Sequence, residues 1–129
     1  MTKRELSQLY WLHKEIEQQQ ERLLRLESMA TNCTSTISGT PGGCGYSDKI
    51  GNIVVKIDEL KAKIEQNKQR CIAEQMRLTD YINAIPDSLT RQIFRLRFIG
   101  CMAWPQIALI VGGGNTSESV RKRVYRYLN

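Results

Sequence analysis

The chain has 129 residues, of which 25% are charged and 41% hydrophobic, and its formal net charge is +6. This composition is ordinary for a soluble protein and excludes disorder along the whole chain. No apolar run approaches the ~18 residues that span a bilayer, and the first residues turn polar too soon for a signal peptide, so we expect a cytoplasmic protein without a membrane segment.

The positive charge is concentrated toward the C-terminus. Residues 86–129 carry seven basic and two acidic residues, a net +5, whereas residues 1–85 carry twelve basic and eleven acidic residues, a net +1. Counterion release from DNA phosphates needs clustered cations, and a charge that serves only solubility has no reason to segregate. Residues 86–129 are therefore the candidate nucleic-acid-binding segment.

The sequence does not indicate a metal site or an enzyme. Its cysteines form no Cys-x-x-Cys pair, and His13 is the only histidine. There is no phosphate-cradling Gly-x-x-x-x-Gly-Lys and no carboxylate pair that would share a cleft. We expect no catalytic residue, metal or cofactor, and free thiols in a reducing cytosol, although Cys33 and Cys44 could bridge their loop if oxidised. The four cysteines are Cys33, Cys44, Cys71 and Cys101.

Two long helices are predicted in the first 85 residues. Residues 3–30 carry an apolar stripe at helical spacing that Gln19 and Gln20 interrupt, and residues 31–47 shift to Thr, Ser, Gly and Pro, which predicts a loop. Residues 48–85 form the second helix, with Ser47 as its cap and Asp48 near its positive end. The stripe of the first helix consists of Leu6, Leu9, Leu12, Ile16, Leu23 and Leu26.

The second helix has a heptad seam that is polar at Asn67 and Glu74. A polar seam residue can fix register or oligomer state, or its neighbours can simply pack around it. The two helices should form an antiparallel hairpin, and the surplus length of the second should lie on another chain or on the C-terminal unit. We expect a homodimer through this coiled coil, with His13 as a hydrogen-bonded structural residue near the seam. The seam residues are Ile53, Ile57, Leu60, Ile64, Asn67, Cys71, Glu74, Leu78, Tyr81 and Ile85.

Three shorter helices are predicted in residues 86–129. Pro86 ends the long helix, and Asp87 or Ser88 caps a helix that runs to about Ile99 and is closed by Gly100. Its inward residues are Leu89, Ile93, Leu96 and Ile99.

The next helix has its own buried stripe and ends in a run of three glycines. Pro105 falls in its first turn, and glycine takes the positive φ that closes a helix. Asn115 or Thr116 then caps the last helix, and Glu118 stands at capping-box distance from Asn115. The stripe consists of Trp104, Ile107, Ala108 and Val111, and the glycines are Gly112, Gly113 and Gly114.

Two helices around a glycine turn are typical of the helix-turn-helix, whose second helix enters the DNA major groove. We therefore predict an all-α protein with a helical hairpin at 1–85 and a three-helix DNA-binding domain at 86–129, whose recognition helix is 116–128. The inward residues of that helix are Val120, Val124, Tyr127 and Leu128, and the outward ones are Glu118, Ser119, Lys122, Tyr125 and Arg126, with Arg121 and Arg123 on the flanks.

The segment IPDSLTRQIFRLRFIGCMAWPQIALIVGGGNTSESVRKRVYRYL resembles the promoter-reading C-terminal domain of bacterial sigma factors. The whole chain, including SDKIGNIVVKIDEL, is similar to phage and prophage sigma-factor-like proteins of Gram-positive hosts, which are similar to phage late-transcription regulators. The positions that carry the resemblance are Leu96, Arg97, Phe98, Gly100, Trp104, Ile107, Ala108, the turn glycine, Val120 and Arg121.

The resemblance implies which side chains meet DNA. Base edges would face Ser117, Glu118, Ser119 and Lys122, and Arg121 would hold the phosphate backbone. Glu118 could accept from a cytosine amino group and Lys122 donate to guanine. Arg97, on an earlier helix, could add a phosphate contact or be an ordinary surface arginine.

The chain departs from the sigma pattern at three places. Three glycines replace one, which moves Val120 two residues later and alters the expected angle of the recognition helix. Serines stand at 117 and 119, where sigma factors commonly carry arginines, and Ala103 lacks a capping hydroxyl.

These features predict a sequence-specific, sigma-factor-like regulator of phage late genes, acting on double-stranded DNA in a bacterial cytoplasm and touching host RNA polymerase. One alternative is a DNA-packaging adaptor like a small terminase subunit. Another is a coiled-coil interaction protein whose DNA motif is degenerate.

Overall fold

In a computed structural model, the chain is described for the backbone of residues 1–37 and 44–129 and for the side chains of residues 1–31 and 51–129. It is 85% helical, and this part of the chain contains no strand, so the predicted all-α class is confirmed. No helix in the described ranges combines the length and apolar character that crossing a membrane demands. The helices are α1 (Lys3–Leu6), α2 (Gln8–Ile37), α3 (Cys44–Asn83), α4 (Ser88–Phe94) with a π-helical continuation (Arg95–Ile99), α5 (Trp104–Val111) and α6 (Ser117–Leu128).

The predicted first helix is divided at Ser7. Ser7 ends α1, and both its backbone N–H and its hydroxyl donate to the carbonyl of Lys3, at 3.1 and 2.9 Å. A hydroxyl that competes for helix carbonyls commonly bends a helix, which accounts for the interruption. At its other end α2 runs to Ile37, and the hydroxyl of Thr31 bonds back to the carbonyl of Glu27 at 2.9 Å within the helix.

The loop predicted over 31–47 is wrong at both ends. Residues 31–37 belong to α2 and residues 44–47 to α3, so Ser47 lies inside α3 and is not its cap. Thr and Ser lower helix propensity by only about a few tenths of a kcal/mol and Gly by about 1 kcal/mol, and α3 includes Gly45 all the same. The remaining loop residues, the Cys33–Cys44 bridge and the role of Asp48 lie outside what the structure describes.

The chain divides into two compact units, Lys14–Gln69 and a second unit that joins Met1–His13 to Arg70–Asn129. Within the Lys14–Gln69 unit the predicted seam is buried at Leu60 and Ile64. Asn67 is also buried there, and its Nδ2 donates to Oε1 of Gln19 at 3.0 Å. The polar residues that interrupt the two apolar stripes, Gln19 and Asn67, are thus hydrogen-bonded to each other, as a buried amide requires.

The unit of Met1–His13 and Arg70–Asn129 has a different boundary from the predicted domain 86–129. Its core takes Leu6 and Leu9 from the N-terminus and Leu78 and Ile82 from α3, all at 0% exposure. A segment of 44 residues has too little surface to bury by itself, and these neighbours enlarge the core. His13, predicted near the seam, is exposed. The remaining fully buried side chains of this unit are Ile85, Ile93, Phe94, Ile107, Val120 and Val124.

Within this unit α4 begins at the predicted cap. The carboxylate of Asp87 accepts from the backbone N–H of Thr90 at 3.1 Å and from its hydroxyl at 2.5 Å. The π-helical turn that follows shifts the buried face, because its wider hydrogen bonds add a residue to one turn. Phe94 and Phe98 are buried, whereas Leu89, Leu96 and Ile99, predicted to point inward, are half-buried.

Gly100 follows the π-helical turn with φ −77°, and the residue with a positive φ after this helix is Cys101, at 55°. A Cβ at Gly100 would lie 2.8 Å from the carbonyl oxygen of Leu96. Glycine is therefore needed at position 100 for close approach, not for its conformation.

Candidate nucleic-acid interface

The candidate site consists of α5, the glycine turn and α6, and α5 is its first element. Pro105 lies in its first turn, as predicted, and Ile107 and Ala108 are buried. Ala103 has no side chain that could cap, but its backbone N–H donates to Oε1 of Gln106 at 3.3 Å. That bond satisfies one of the backbone donors which a helix N-terminus leaves unpaired.

The three glycines after α5 make a turn that other residues would resist. Gly112, Gly113 and Gly114 have φ of 59°, 64° and 76°. The side-chain amide of Asn115 donates to the carbonyl of Gly112 at 2.8 Å and closes the turn. The positive φ predicted for the glycines that close α5 is confirmed.

Thr116 caps α6 through a reciprocal pair of hydrogen bonds. Its Oγ1 accepts from the N–H of Ser119 at 3.1 Å, and its own N–H donates to Oγ of Ser119 at 2.8 Å. The capping box predicted between Asn115 and Glu118 is therefore wrong, because Asn115 is used in the turn. Ser119, predicted to face base edges, also donates its hydroxyl to the carbonyl of Thr116 at 2.9 Å, so its polar atoms serve the cap.

The inward side of α6 fixes its rotation about its own axis. Val120 and Val124 are each 1% exposed. The ring of Tyr127 packs edge-on against Phe94, with centroids 5.3 Å apart, and remains 41% exposed. Leu128 is half-buried. At 100° per residue this anchoring directs Lys122 and Arg126 to the opposite side of the helix.

The outward side of α6 is a basic surface. We call Lys122, Arg123 and Arg126 the cationic face; all three are exposed. Together with Asn115 and Ser119 they line a groove of about 440 Å³. Arg126 has no carboxylate within 4.0 Å among the residues described, and the side chain of Lys122 is 58% exposed.

Two acidic side chains, Glu118 and Asp87, form ion pairs with basic residues at the two edges of this face. Glu118 accepts from Nη2 of Arg121 at 2.6 Å and lies 3.9 Å from Nζ of Lys122. The hydrogen bond from Arg121 lowers the pKa of Glu118 below its usual value. On the other flank Nη1 of Arg123 lies 3.0 Å from the carboxylate of Asp87, whose pKa is lowered first by the hydrogen bonds from Thr90 and then by Arg123. Exposed pairs of this kind are weak, so a phosphate can compete for the arginines.

Tyr125, predicted to point outward, lies against the N-terminus of the chain. Nζ of Lys3 donates to its hydroxyl at 2.9 Å and stands 4.6 Å from its ring centroid. That hydrogen bond is the main reason that the pKa of Tyr125 falls below its usual value. The guanidinium of Arg121 stands 5.6 Å from the same ring, so Tyr125 and Arg121 lie together on the side of α6 next to α1.

Arg97 is occupied within its own unit. Its Nη1 donates to the carbonyl of Met102 at 2.8 Å, and its guanidinium lies 4.4 Å from the ring centroid of Trp104. A half-buried arginine that stacks on a ring and satisfies a carbonyl is a structural clamp. The structure favours neither of the readings that the sequence left open, a phosphate contact or an ordinary surface arginine.

The structure thus brings together most of the predicted site residues on two sides of one helix. Lys122, Arg123 and Arg126 share the open side, with Glu118 at its edge, and Ser117 is half-buried at the first position of α6. Sequence reasoning missed Asn115 as a lining residue and Lys3 as a neighbour of α6. The turn-forming role of Asn115 was a usable signal, but no local pattern links residues 3 and 125.

The described residues contain no group of three or more His, Cys, Asp or Glu side chains placed to hold a metal ion. A comparison of the chain with protein-family models, curated proteins and solved structures found no match.

Proposed function

We propose that this chain binds duplex DNA through α6, with α5, the glycine turn and α6 acting as a helix-turn-helix and α4 as its third helix. The observation that carries the proposal is the cationic face: three exposed basic side chains on one side of a helix whose opposite side is buried. A helix enters the major groove with its outward side on the base edges and its flanks beside the two phosphate strands.

In this arrangement Lys122 and Arg126 face the floor of the groove and can donate to guanine O6 and N7. Arg123 on one flank and Arg121 on the other exchange their carboxylate partners for phosphates. Glu118 stands beside Lys122, where it can accept from a cytosine amino group once Arg121 has turned to the backbone.

The biological role that we propose is regulation of phage late genes in the cytoplasm of a bacterial host, acting with host RNA polymerase. It depends on the resemblance to sigma-factor-like proteins and on the segregated charge. We propose a homodimer through the coiled coil of α2 and α3. Ile72 and Met76 support it, because they are 53% and 65% exposed on α3 and line a groove of about 420 Å³. Contiguous exposed apolar side chains commonly mark an interface.

The decisive experiment is DNA binding by the double variant Lys122→Ala, Arg126→Ala. Bound sequences are first selected from a random duplex pool, and affinity is then measured by fluorescence anisotropy between low and moderate salt. We expect a loss of about 30-fold or more, because each contact contributes about 1–3 kcal/mol. The control is Lys61→Ala, Lys63→Ala, which removes the same charge from exposed positions of the Lys14–Gln69 unit.

Undiminished affinity in the double variant would exclude α6 as the reading helix. The other functions predict different results: a mass corresponding to a ring of many subunits favours a packaging adaptor, and no binding at low salt favours an interaction protein. A dimer that selects a short palindrome supports the regulator.

A further inference from the structure

The N-terminus of the chain lies against the candidate recognition helix. Lys3 and Tyr125 are 122 positions apart in sequence, yet Nζ of Lys3 donates to the hydroxyl of Tyr125 at 2.9 Å. Both belong to the unit of Met1–His13 and Arg70–Asn129. An ammonium group has three donors, and the bond to Tyr125 uses one of them.

The position of Lys3 is fixed by the structure of α1. Thr2 and Glu5 form a capping box, with the N–H of Thr2 donating to Oε2 of Glu5 at 2.7 Å. The other carboxylate oxygen of Glu5 lies 3.2 Å from Nη2 of Arg77 on α3, and the adjacent Leu6 is fully buried. These contacts tie α1 to α3, so Lys3 is held in place and is not part of a loose tail.

Charge adds to this placement. Arg4 follows Lys3 and is exposed, and both line a groove of about 630 Å³. The one acidic residue of α1, Glu5, is engaged by Thr2 and Arg77, which holds its pKa below the usual value, with the backbone N–H of Thr2 as the main cause. Arg121 approaches the same tyrosine from α6. Lys3 and Arg121 therefore stand together beside Tyr125, and Arg4 adds a third positive charge on α1.

A helix in the major groove has a phosphate strand on each side, and contacts to both strands fix its register. On one side of α6 the structure offers Arg123 and on the other Arg121, and each has a carboxylate neighbour, Asp87 and Glu118 respectively. Lys3 stands on the Arg121 side, against Tyr125. We infer that Lys3 and Arg4 are phosphate contacts on this second side, so that the DNA-binding surface is built from both ends of the chain. The inference rests on the proposed DNA binding through α6.

The test is the double variant Lys3→Ala, Arg4→Ala in the full chain, measured on the selected duplex and on unrelated duplexes. Each phosphate contact contributes a salt slope of about 0.9, which corresponds to roughly eightfold in affinity between 1 M and 0.1 M salt. We expect the slope to fall by up to about 1.8 and affinity to fall equally on all duplexes, because phosphates carry no sequence information. The charge-preserving variant Lys3→Arg, Arg4→Lys should keep most of the affinity, and circular dichroism checks that each variant is folded.

Three outcomes separate this inference from the proposed function. Loss of affinity in both the Lys3–Arg4 and the Lys122–Arg126 variants, but not in the Lys61–Lys63 control, supports both. A Lys3–Arg4 variant that behaves like the control while the Lys122–Arg126 variant is weak overturns the inference alone. A Lys122–Arg126 variant that binds normally overturns DNA reading by α6, and this inference with it.

Discussion

Arg97 can have one of two roles if α6 binds DNA as proposed: it can contact a phosphate or it can stabilise the fold. The sequence left open a phosphate contact, whereas the structure places its guanidinium 4.4 Å from the Trp104 ring centroid and 2.8 Å from the carbonyl oxygen of Met102. A clamp contributes to folding and a phosphate contact contributes to binding. The substitution Arg97→Ala tells them apart.

The expected loss of stability follows from the two contacts. A hydrogen bond from a charged donor contributes about 1.5–3 kcal/mol and a partly exposed cation–π contact about 0.5–1 kcal/mol. Because Arg97 is half-buried, we take the lower ends and expect about 2 kcal/mol. At an unfolding entropy of about 2.1 cal/mol/K per residue, a chain of this length loses about 4 °C of Tm per kcal/mol, and so about 8 °C here.

The assay pairs thermal unfolding with salt-dependent DNA binding, measured well below the Tm of the variant. We expect the lower Tm together with a salt slope that matches the unsubstituted chain. Arg95→Ala is the matched control: Arg95 is exposed and two positions away, and its guanidinium donates to Oδ1 of Asn83 at 3.1 Å. It removes the same charge and should change the Tm little.

The opposite result would refute this reasoning. If Arg97→Ala leaves the Tm unchanged and lowers the salt slope by about 1, Arg97 contacts a phosphate in the complex. Arg97→Lys provides a second test of stability, since it keeps the charge but loses the flat surface that stacks on Trp104. Full stability in that variant would also contradict the clamp.

Two further predictions concern the residues around α6. Glu118→Gln should raise affinity on unrelated duplexes and increase the salt slope by up to about 0.9, because Arg121 and Lys122 lose a competing carboxylate, and should weaken binding to selected sites in which a cytosine meets Glu118; equal gains on all duplexes would contradict base reading by Glu118. Gly112→Ala should destabilise the fold by about 1–3 kcal/mol in chemical denaturation, since its φ of 59° and ψ of −146° suit only glycine and the space around it is open. Gly51→Ala, at an equally open position inside α3, should stabilise by about 0.5–1 kcal/mol, and a shared sign for the two substitutions would contradict the backbone argument.

The elements that local chemistry controls were predictable. The helix end before Pro86, the cap at Asp87 and the positive φ of the glycine run follow from the residue at each position. So does the basic side of α6, because two buried valines four positions apart determine which way Lys122 points.

The features that depend on distant contacts were not predictable. The π-helical turn at Arg95–Ile99 inserts a residue into a helical stripe, and spacing alone gives no sign of it. The pairing of Asn67 with Gln19 joins two residues that each looked like a flaw in its own helix. The contact between Lys3 and Tyr125 spans almost the whole chain, and helical periodicity describes only neighbours along one element.

The unit that carries α6 includes residues from both ends of the chain, Met1–His13 and Arg70–Asn129. A domain boundary at Pro86 would separate α4, α5 and α6 from Leu6 and Leu78. Both leucines are fully buried in the same compact unit as these helices. Each fully buried leucine contributes about 1.5–3 kcal/mol, a large share of the 5–15 kcal/mol that stabilises a typical domain. The N-terminus is therefore part of the fold that presents α6, and the same few residues that close this core place Lys3 beside Tyr125.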